Sequence, residues 1–193
     1  MDYATVEDLK ERFSAIPDDD DTEDGSFQAA ITAASRAVDD YCNRSFGLDD
    51  DPSPRRFVPV DGRRVHIDDA AEVVSVSVAG SMLSGDAVNL YPLNGVYRGQ
   101  SGWPYRRVVS VVGDVFPIGS ASVTVTAVWG WPDVPAVVRE ATLIVAEETW
   151  KLRDTPFGIA GSAEFGQMRV PRFHPRVIAM LSQYRRDTVM VNE

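Results

Sequence analysis

The stretch of sequence that decides the fold runs from Val123 to Ala141 and reads VTVTAVWGWPDVPAVVREA. Its first seven residues place apolar side chains at every second position, which predicts a β-strand over Val123–Trp129 with one buried face. The pattern then becomes helical, because Asp133 is a good N-cap residue and Pro135 is tolerated in a first helical turn. The chain therefore passes here from a sheet into a helix, which is predicted over Val134–Arg153.

The predicted helix Val134–Arg153 is apolar over most of its girth. Its two apolar stripes contain Val134, Val137, Val138, Ala141, Ile144, Val145 and Leu152 on one side, and Leu143, Ala146 and Trp150 on another. A helix of this kind is buried from several sides. It either forms the centre of a bundle or packs against neighbouring subunits, and the candidate subunit-interface residues are Arg139, Leu143, Ala146 and Trp150.

Three further helices are predicted from apolar residues that recur three and four positions apart. They run from Val6 to Phe13, from Phe27 to Asn43 and from Pro175 to Arg186. Cys42 lies on the apolar stripe of the second of these helices, so it is predicted to be a small core residue. It is the one cysteine of the chain, which excludes an internal disulfide.

Candidate caps mark the starts of these helices. Thr5 and Asp8 are spaced as a loose capping box for the first helix. Ser26 or Asp24 is predicted to cap the second helix. His174 is predicted to cap or abut the last one.

Between the second helix and Val134 the hydrophobic period is close to two. Short runs separated by Gly-rich or Asp-rich turns predict an antiparallel sheet, a sandwich or a small barrel. The predicted strands are Arg55–Val60, Arg63–Ile67, Val74–Val78, Ala87–Tyr91, Arg107–Val112 and Val123–Trp129.

The predicted fold class is therefore α+β, a bundle of about four helices with an inserted antiparallel β domain. The predicted division of the chain is N-terminal bundle helices at 1–54, a β-rich insertion at 55–131, a long bundle helix at 132–153, a docking loop at 154–173, and a C-terminal helix and tail at 174–193.

Charge is distributed unevenly along the 193 residues, whose net charge is −10. Residues 1–51 hold 15 acidic and 4 basic residues, whereas Lys151–Arg186 holds 7 basic and 2 acidic ones. The aspartate runs at 18–21 and 49–51 are typical of solvated loops, and they also fit a surface that repels DNA or meets a basic partner. Such a chain is a poor candidate for a general DNA-coating protein.

Motifs for catalysis, membrane insertion and secretion are absent from the sequence. It has no phosphate-binding P-loop, no dinucleotide-binding glycine motif, no His-Glu-x-x-His and no Gly-x-Ser-x-Gly. No apolar run approaches the roughly 20 residues of a membrane-spanning helix. The acidic residues near Met1 do not fit a signal peptide. We therefore expect no enzymatic activity, no cofactor, no metal and no membrane partner.

Three stretches together resemble one protein family: Ala33–Gly47, Trp129–Gly158 and Pro175–Arg186. The second of them joins Trp-Gly-Trp-Pro to the helix that contains Val-Pro-x-x-Val-Arg-Glu-Ala. This combination resembles the head-to-tail adaptor proteins, also called head completion or connector proteins, of long-tailed bacteriophages, especially those that infect actinobacteria.

The resemblance implies a structural virion protein without enzymatic activity. It implies a helical bundle that forms a ring, usually of twelve copies, below the portal protein. The ring extends the channel through which packaged DNA passes without specific binding, and it receives the next neck or tail-completion protein. The implied locations are the head–tail neck of the virion and, during assembly, the host cytoplasm.

The loop 154–173 is predicted to be a docking arm for a partner protein, most naturally the portal. It has no period that would bury its apolar side chains in a local helix, and exposed side chains of this number need a cover. Gln167–Val170 has the character of a strand that adds to a partner's sheet edge. The candidate docking residues are Phe157, Ile159, Phe165, Met168, Arg169, Val170, Arg172 and Phe173.

Two other classes of function remain open on the sequence. The first is a nucleic-acid-binding module that uses the basic C-terminal region, with Arg169, Arg172, Arg176, Arg185 and Arg186. The second is an enzyme with a carboxylate pair in the β-rich insertion, such as Asp68 with Asp86, although nothing in the sequence fixes their separation.

Overall fold

The computed structural model describes residues 1–13, 21–152 and 173–186, together with the backbone of two short strands at 159–160 and 168–169. The chain divides into two compact units. The helical unit consists of residues 1–45 and 134–193, and the β unit consists of residues 46–133. The predicted insertion, 55–131, falls inside the β unit. Helices and an antiparallel sheet are both present, so the predicted α+β class is confirmed.

Helices occur at all four predicted places in the helical unit, with shorter bounds in three cases. A single 3-10 turn, Ser182–Tyr184, replaces the end of the last predicted helix. The helices are α1 (Val6–Lys10), α2 (Asp24–Cys42), α3 (Ala136–Lys151) and α4 (Pro175–Leu181).

The predicted caps are confirmed at two helices and wrong at two. Thr5 and Asp8 form the capping box of α1, and the Nδ1 atom of His174 accepts a hydrogen bond from the amide of Arg176 at the start of α4. Asp133 does not cap α3, whose N-cap is Pro135. The residue before a proline is held out of the helical region, so the helix starts only after Pro135.

At α2 the N-cap position is held by Glu23, without a capping bond from its side chain, instead of Ser26 or Asp24. Ser26 lies inside the helix, where its hydroxyl donates to the side chain and the carbonyl of Glu23. The helix ends at Asn43, whose φ of 51° and ψ of 42° are left-handed, so the stop precedes Gly47.

The core of the helical unit lies where α2, α3 and α4 pack together. Cys42 is fully buried there, as predicted. An aromatic cluster joins the end of α3 to the start of α2: the ring of Trp150 lies 4.8 Å from that of Phe13 and 4.9 Å from that of Phe27. The indole nitrogen of Trp150 donates to the Ser26 hydroxyl at 2.9 Å.

The β unit contains a six-stranded antiparallel sheet with the order β1-β6-β2-β5-β4, and β3 pairs with β2 off this path. Within the described residues β1 and β4 are therefore the two lateral edges of the sheet. The strands are β1 (Ser53–Phe57), β2 (Arg64–Val78), β3 (Ser81–Met82), β4 (Val88–Tyr91), β5 (Tyr105–Ser110) and β6 (Val123–Trp129).

The long strand β2 joins the two halves of the sheet. Its first half pairs with β5 and its second half with β6, and Ala70 is opposite both Tyr105 and Trp129. The register shifts next to Ala70, as expected where a strand bends. The sequence predicted two strands here because Asp68–Glu72 has low β propensity. The structure keeps the strand continuous and buries Asp69, which accepts a bond from the Trp131 indole at 3.2 Å.

The base of the β unit is closed by pairing between the segment where the chain enters it and the segment where it leaves. The Trp131 amide donates to the Gly47 carbonyl at 3.1 Å, and the Asp49 amide donates to the Trp129 carbonyl at 2.8 Å. Between them Gly130 has a φ of 115°, and a Cβ at this position would lie 1.9 Å from the Gly47 oxygen. Only glycine fits this crossing.

Replacing Gly130 with alanine is expected to destabilise the β unit by more than about 3 kcal/mol, because the added Cβ collides with paired backbone. Gly99→Ala is the matched control: Gly99 also has a positive φ, of 78°, but open space surrounds its Cβ position. The control should cost about 1–2 kcal/mol. Urea unfolding followed by tryptophan fluorescence measures both losses, and equal losses would contradict the steric explanation.

Candidate functional site

A cleft of about 430 Å³ lies between α1 and α3 in the helical unit. Leu143 contributes an apolar surface and is 7% exposed. Charged side chains form most of the rest of the lining, so the cleft combines an apolar floor with a polar rim, as protein–protein contact surfaces do. The lining residues are Asp8, Glu11, Arg12, Ala136, Arg139, Glu140 and Leu143.

Ion pairs across this cleft hold the N-terminal segment against α3. The guanidinium of Arg12 contacts Glu140 and lies 3.6 Å from Glu147, while Arg139 pairs with Asp8. Burial acts to raise the pKa of Asp8, but hydrogen bonds from Thr5 and the charge of Arg139 outweigh it and hold that pKa below its ordinary value. Asp8 is therefore charged at neutral pH.

The four predicted subunit-interface residues do not all share one surface. Leu143 and Arg139 both line the cleft. Ala146 is fully buried within the chain, and Trp150 packs on Phe13 and Phe27. A single chain does not test the interface, which stays a prediction, and of the four residues Leu143 and Arg139 line an opening that a second chain can reach.

The predicted docking loop contains an antiparallel pair of two-residue strands, β7 (Ile159–Ala160) and β8 (Met168–Arg169). Ile159 is opposite Arg169, and Ala160 is opposite Met168. Met168 and Arg169 are extended, in line with the prediction, and their partner strand belongs to the same chain. Pairs this short carry no periodicity, so the sequence did not predict them.

The other docking candidates are placed in two groups. Phe173 is buried in the helical unit, where its ring lies 5.4 Å from that of Tyr41. The remaining candidates lie outside the described residues: Phe157, Phe165, Val170 and Arg172.

The residues of the two alternative functions are dispersed. Arg185 lies over the Tyr41 ring at 5.9 Å, and the Arg186 amide donates to the Cys42 carbonyl. Asp68 bonds to Arg55 at 3.0 Å, whereas Asp86 lies in a separate 3-10 turn. Within the described part of the chain no cluster of acidic, histidine and cysteine residues is suited to a metal ion, and no helix has the length and apolar character needed to cross a bilayer.

An arginine–aromatic surface in the β unit was not predicted. Tyr97 packs on Trp103 at 4.7 Å, and the guanidinium groups of Arg98 and Arg106 lie 5.4 and 5.5 Å from the Tyr97 ring. These distances are typical of cation–π contacts. Trp103 is buried. The sequence feature that could have indicated this surface is the pair of basic segments, Tyr97-Arg98-Gly99 and Arg106-Arg107.

A tight turn positions Arg98 on this surface. Tyr97 and Gln100 exchange two backbone hydrogen bonds of 2.9 Å, and Arg98 and Gly99 between them have φ values of 51° and 78°. This is the geometry of a type I′ turn, in which asparagine and glycine are favoured. An arginine there costs on the order of 1 kcal/mol in backbone strain.

The chain shares its fold with proteins in the necks of gene transfer agent (GTA) particles. No protein-family model and no curated protein matches it. A chain from the neck of an empty GTA particle, computed with C6 symmetry, has a TM-score of 0.56 and 16% identity, over 96% of this chain and 91% of that one. A chain from the neck of a native GTA particle, computed with C12 symmetry, has a TM-score of 0.51 and 15% identity, over 89% and 87%. At these identities the likeness establishes the fold.

Two acid substitutions on α3 are expected to differ in their effect on stability. Ala146→Asp places a carboxylate in a fully buried position and should cost about 4 kcal/mol or more. Leu143→Asp should cost about half as much, since at the cleft a carboxylate reaches water and the neighbouring arginines. Urea unfolding monitored by circular dichroism gives both values, with Leu143→Asn as the uncharged control. A larger loss for Leu143→Asp would show that the cleft is closed in solution.

Proposed function

We propose that this chain is a structural virion protein, a head-to-tail adaptor that forms a ring of twelve copies between the portal and the next neck or tail-completion protein. The observation that carries the proposal is the shared fold, which extends over nine-tenths or more of both this chain and a chain of an empty GTA neck. The particle necks in question were computed with six-fold and twelve-fold symmetry.

A closed ring needs two different surfaces on each copy, one for each neighbour. The cleft between α1 and α3 is suited to be one of them, because Leu143 gives it an apolar floor and Arg139 a charged wall. We assign the contact to this cleft, while Ala146 and Trp150 serve the packing of the single chain.

The charge of the chain supports a channel through which DNA slides. A net charge of −10 repels phosphates, so packaged DNA passes without being held. In the basic C-terminal region Arg185 lies over the Tyr41 ring and is exposed, so duplex DNA binding by this region is the alternative that the experiment below tests. In this role the chain needs no cofactor and performs no catalysis.

The segment 154–173 is the proposed portal-docking arm. Within it the two-residue strands β7 and β8 pair with each other. The head–tail neck of the virion is then the location of the protein, and the host cytoplasm is where it assembles.

The purified protein is expected to form rings of defined mass. Native mass spectrometry should show a species of twelve copies, and Leu143→Asp should reduce it strongly while the circular dichroism melt is retained. Ile178→Asp, which adds the same charge at an exposed apolar position of α4, is the control and should leave the rings intact. A wild-type chain that remains monomeric at high concentration and binds duplex DNA in a salt-dependent way would instead support the nucleic-acid-binding alternative.

The docking arm is expected to become protected on assembly. Amide exchange across residues 158–170 should be fast in the isolated protein and slow in the assembled neck, because a partner then covers the segment. The amides of α2 are the internal control and should be protected in both states. Strong and equal protection of 158–170 in both states would mean that the segment packs on its own subunit.

A further inference from the structure

The arginine–aromatic surface of the β unit carries positive charge that the chain does not neutralise. Among the described residues, no carboxylate lies within 4.0 Å of Arg98 or Arg106. The same unit pairs Arg55, Arg63 and Arg64 with aspartates. Both guanidinium groups lie within cation–π distance of one ring, that of Tyr97.

The backbone conformation of Arg98 indicates that its side chain has a function. The residue has a left-handed φ of 51° in a turn that asparagine or glycine would form without strain. Strain of this kind points to a role for the side chain that offsets it. The stack on Tyr97 gives the guanidinium a fixed position at the surface.

A matching negative group lies elsewhere in the same unit. Asp49, Asp50 and Asp51 precede β1 and are all exposed. Asp49 pairs with Arg55 at 3.2 Å, whereas no basic group lies within 4.0 Å of Asp50 or Asp51 in the described chain. Arg98 and Arg106 are therefore two of the arginines of the β unit, and Asp50 and Asp51 two of its aspartates, that form no ion pair within the described chain.

Sheet topology places the aspartates beside one edge strand and the arginines in and next to the connection that follows the other, at about the same level along the strands. The aspartates precede edge strand β1, and three strands separate β1 from the other edge strand, β4. The turn with Arg98 lies between β4 and β5, and Arg106 is the second residue of β5. Both groups lie near the level of Ala70, in the middle of β2, where β6 ends opposite it at Trp129 and β5 begins opposite it at Tyr105. In a ring whose axis is parallel to the strands, the arginines of one copy and the aspartates of the next lie at the same height along the axis.

We propose that Arg98 and Arg106 of one copy bind Asp50 and Asp51 of the next copy in the ring. This inference rests on the proposed ring-forming function and names a contact within it. Each copy offers a basic surface to one neighbour and an acidic surface to the other, which is the head-to-tail arrangement that closes a ring. The fixed guanidinium forks suit carboxylates, and charge complementarity of this kind fixes the register between neighbours.

Charge exchange tests the contact directly. Arg98→Glu/Arg106→Glu and Asp50→Arg/Asp51→Arg should each raise the protein concentration needed for half-maximal ring assembly by about tenfold or more, because like charges then face each other. Combining all four substitutions should restore assembly close to that of the wild type. Arg63→Glu/Arg64→Glu makes the same charge change at the start of β2, away from the level of Ala70, and should have a much smaller effect.

A second variant separates binding from folding. Arg98→Asn removes the charge and suits the turn, so it should not lower the melting temperature of the β unit, yet it should weaken assembly several-fold. Cys42 is buried, so cysteines introduced beside the contact, at the exposed residues Gln100 and Pro52, can be cross-linked selectively with a short bismaleimide. A head-to-tail contact yields a ladder of multimers.

Each outcome decides between the proposals. Rings that persist in both charge-reversed variants, or a four-fold variant that fails to reassemble although it is folded, overturn this contact and leave the ring-forming function in place. Loss of duplex DNA binding by Arg98→Glu/Arg106→Glu, with rings unchanged, would reassign the surface to phosphates. A wild-type chain that never forms rings contradicts the proposed function itself, and the contact with it.

Discussion

The close approach between Gly130 and the carbonyl oxygen of Gly47 is the constraint on which the β unit depends. It brings together the two ends of an 88-residue unit, 46–133, so that the unit is closed at its base by its own backbone pairing. The rings of Phe46, Trp131 and Trp103 follow one another at about 5 Å from this crossing and lead to Tyr97. The proposed arginine surface is thus built outward from the base of the unit.

The two units differ in how their charges are satisfied. In the helical unit Lys10 pairs with Asp24, Arg12 with Glu140 and Arg139 with Asp8, so the chain itself holds its N-terminal segment in place. In the β unit the residues of the proposed contact, Arg98, Arg106, Asp50 and Asp51, have no ionic partner within the described chain. In a ring a neighbouring copy can supply the opposite charge that a single chain does not, and the charge pattern of the β unit therefore fits the proposed ring.

Much of the fold follows from the sequence, because periodicity reports burial. The apolar stripe of α2 with Cys42, the capping box of Thr5 and Asp8, and the strand Val123–Trp129 are all present in the structure. The predictions were wrong where the preference of a residue itself was overridden by its neighbours in the chain or in the sheet. Asp133 does not cap α3 because Pro135 keeps the residue before it, Val134, out of the helical conformation. Asp68–Glu72 belongs to a strand because β2 continues through it to pair with both β5 and β6.

The candidate site was less predictable for the same reason. Leu143 and Ala146 lie on one predicted stripe, yet only the structure shows that Leu143 lines a cleft while Ala146 is enclosed.

The most direct test of the central claim is a cryo-electron microscopy reconstruction of the neck of the particles that contain this chain. The proposal predicts a closed ring of twelve copies against the portal, with the β4 edge of each copy facing the β1 edge of the next. Copies located in the capsid shell or the tail tube, or absent from the particle, would contradict it.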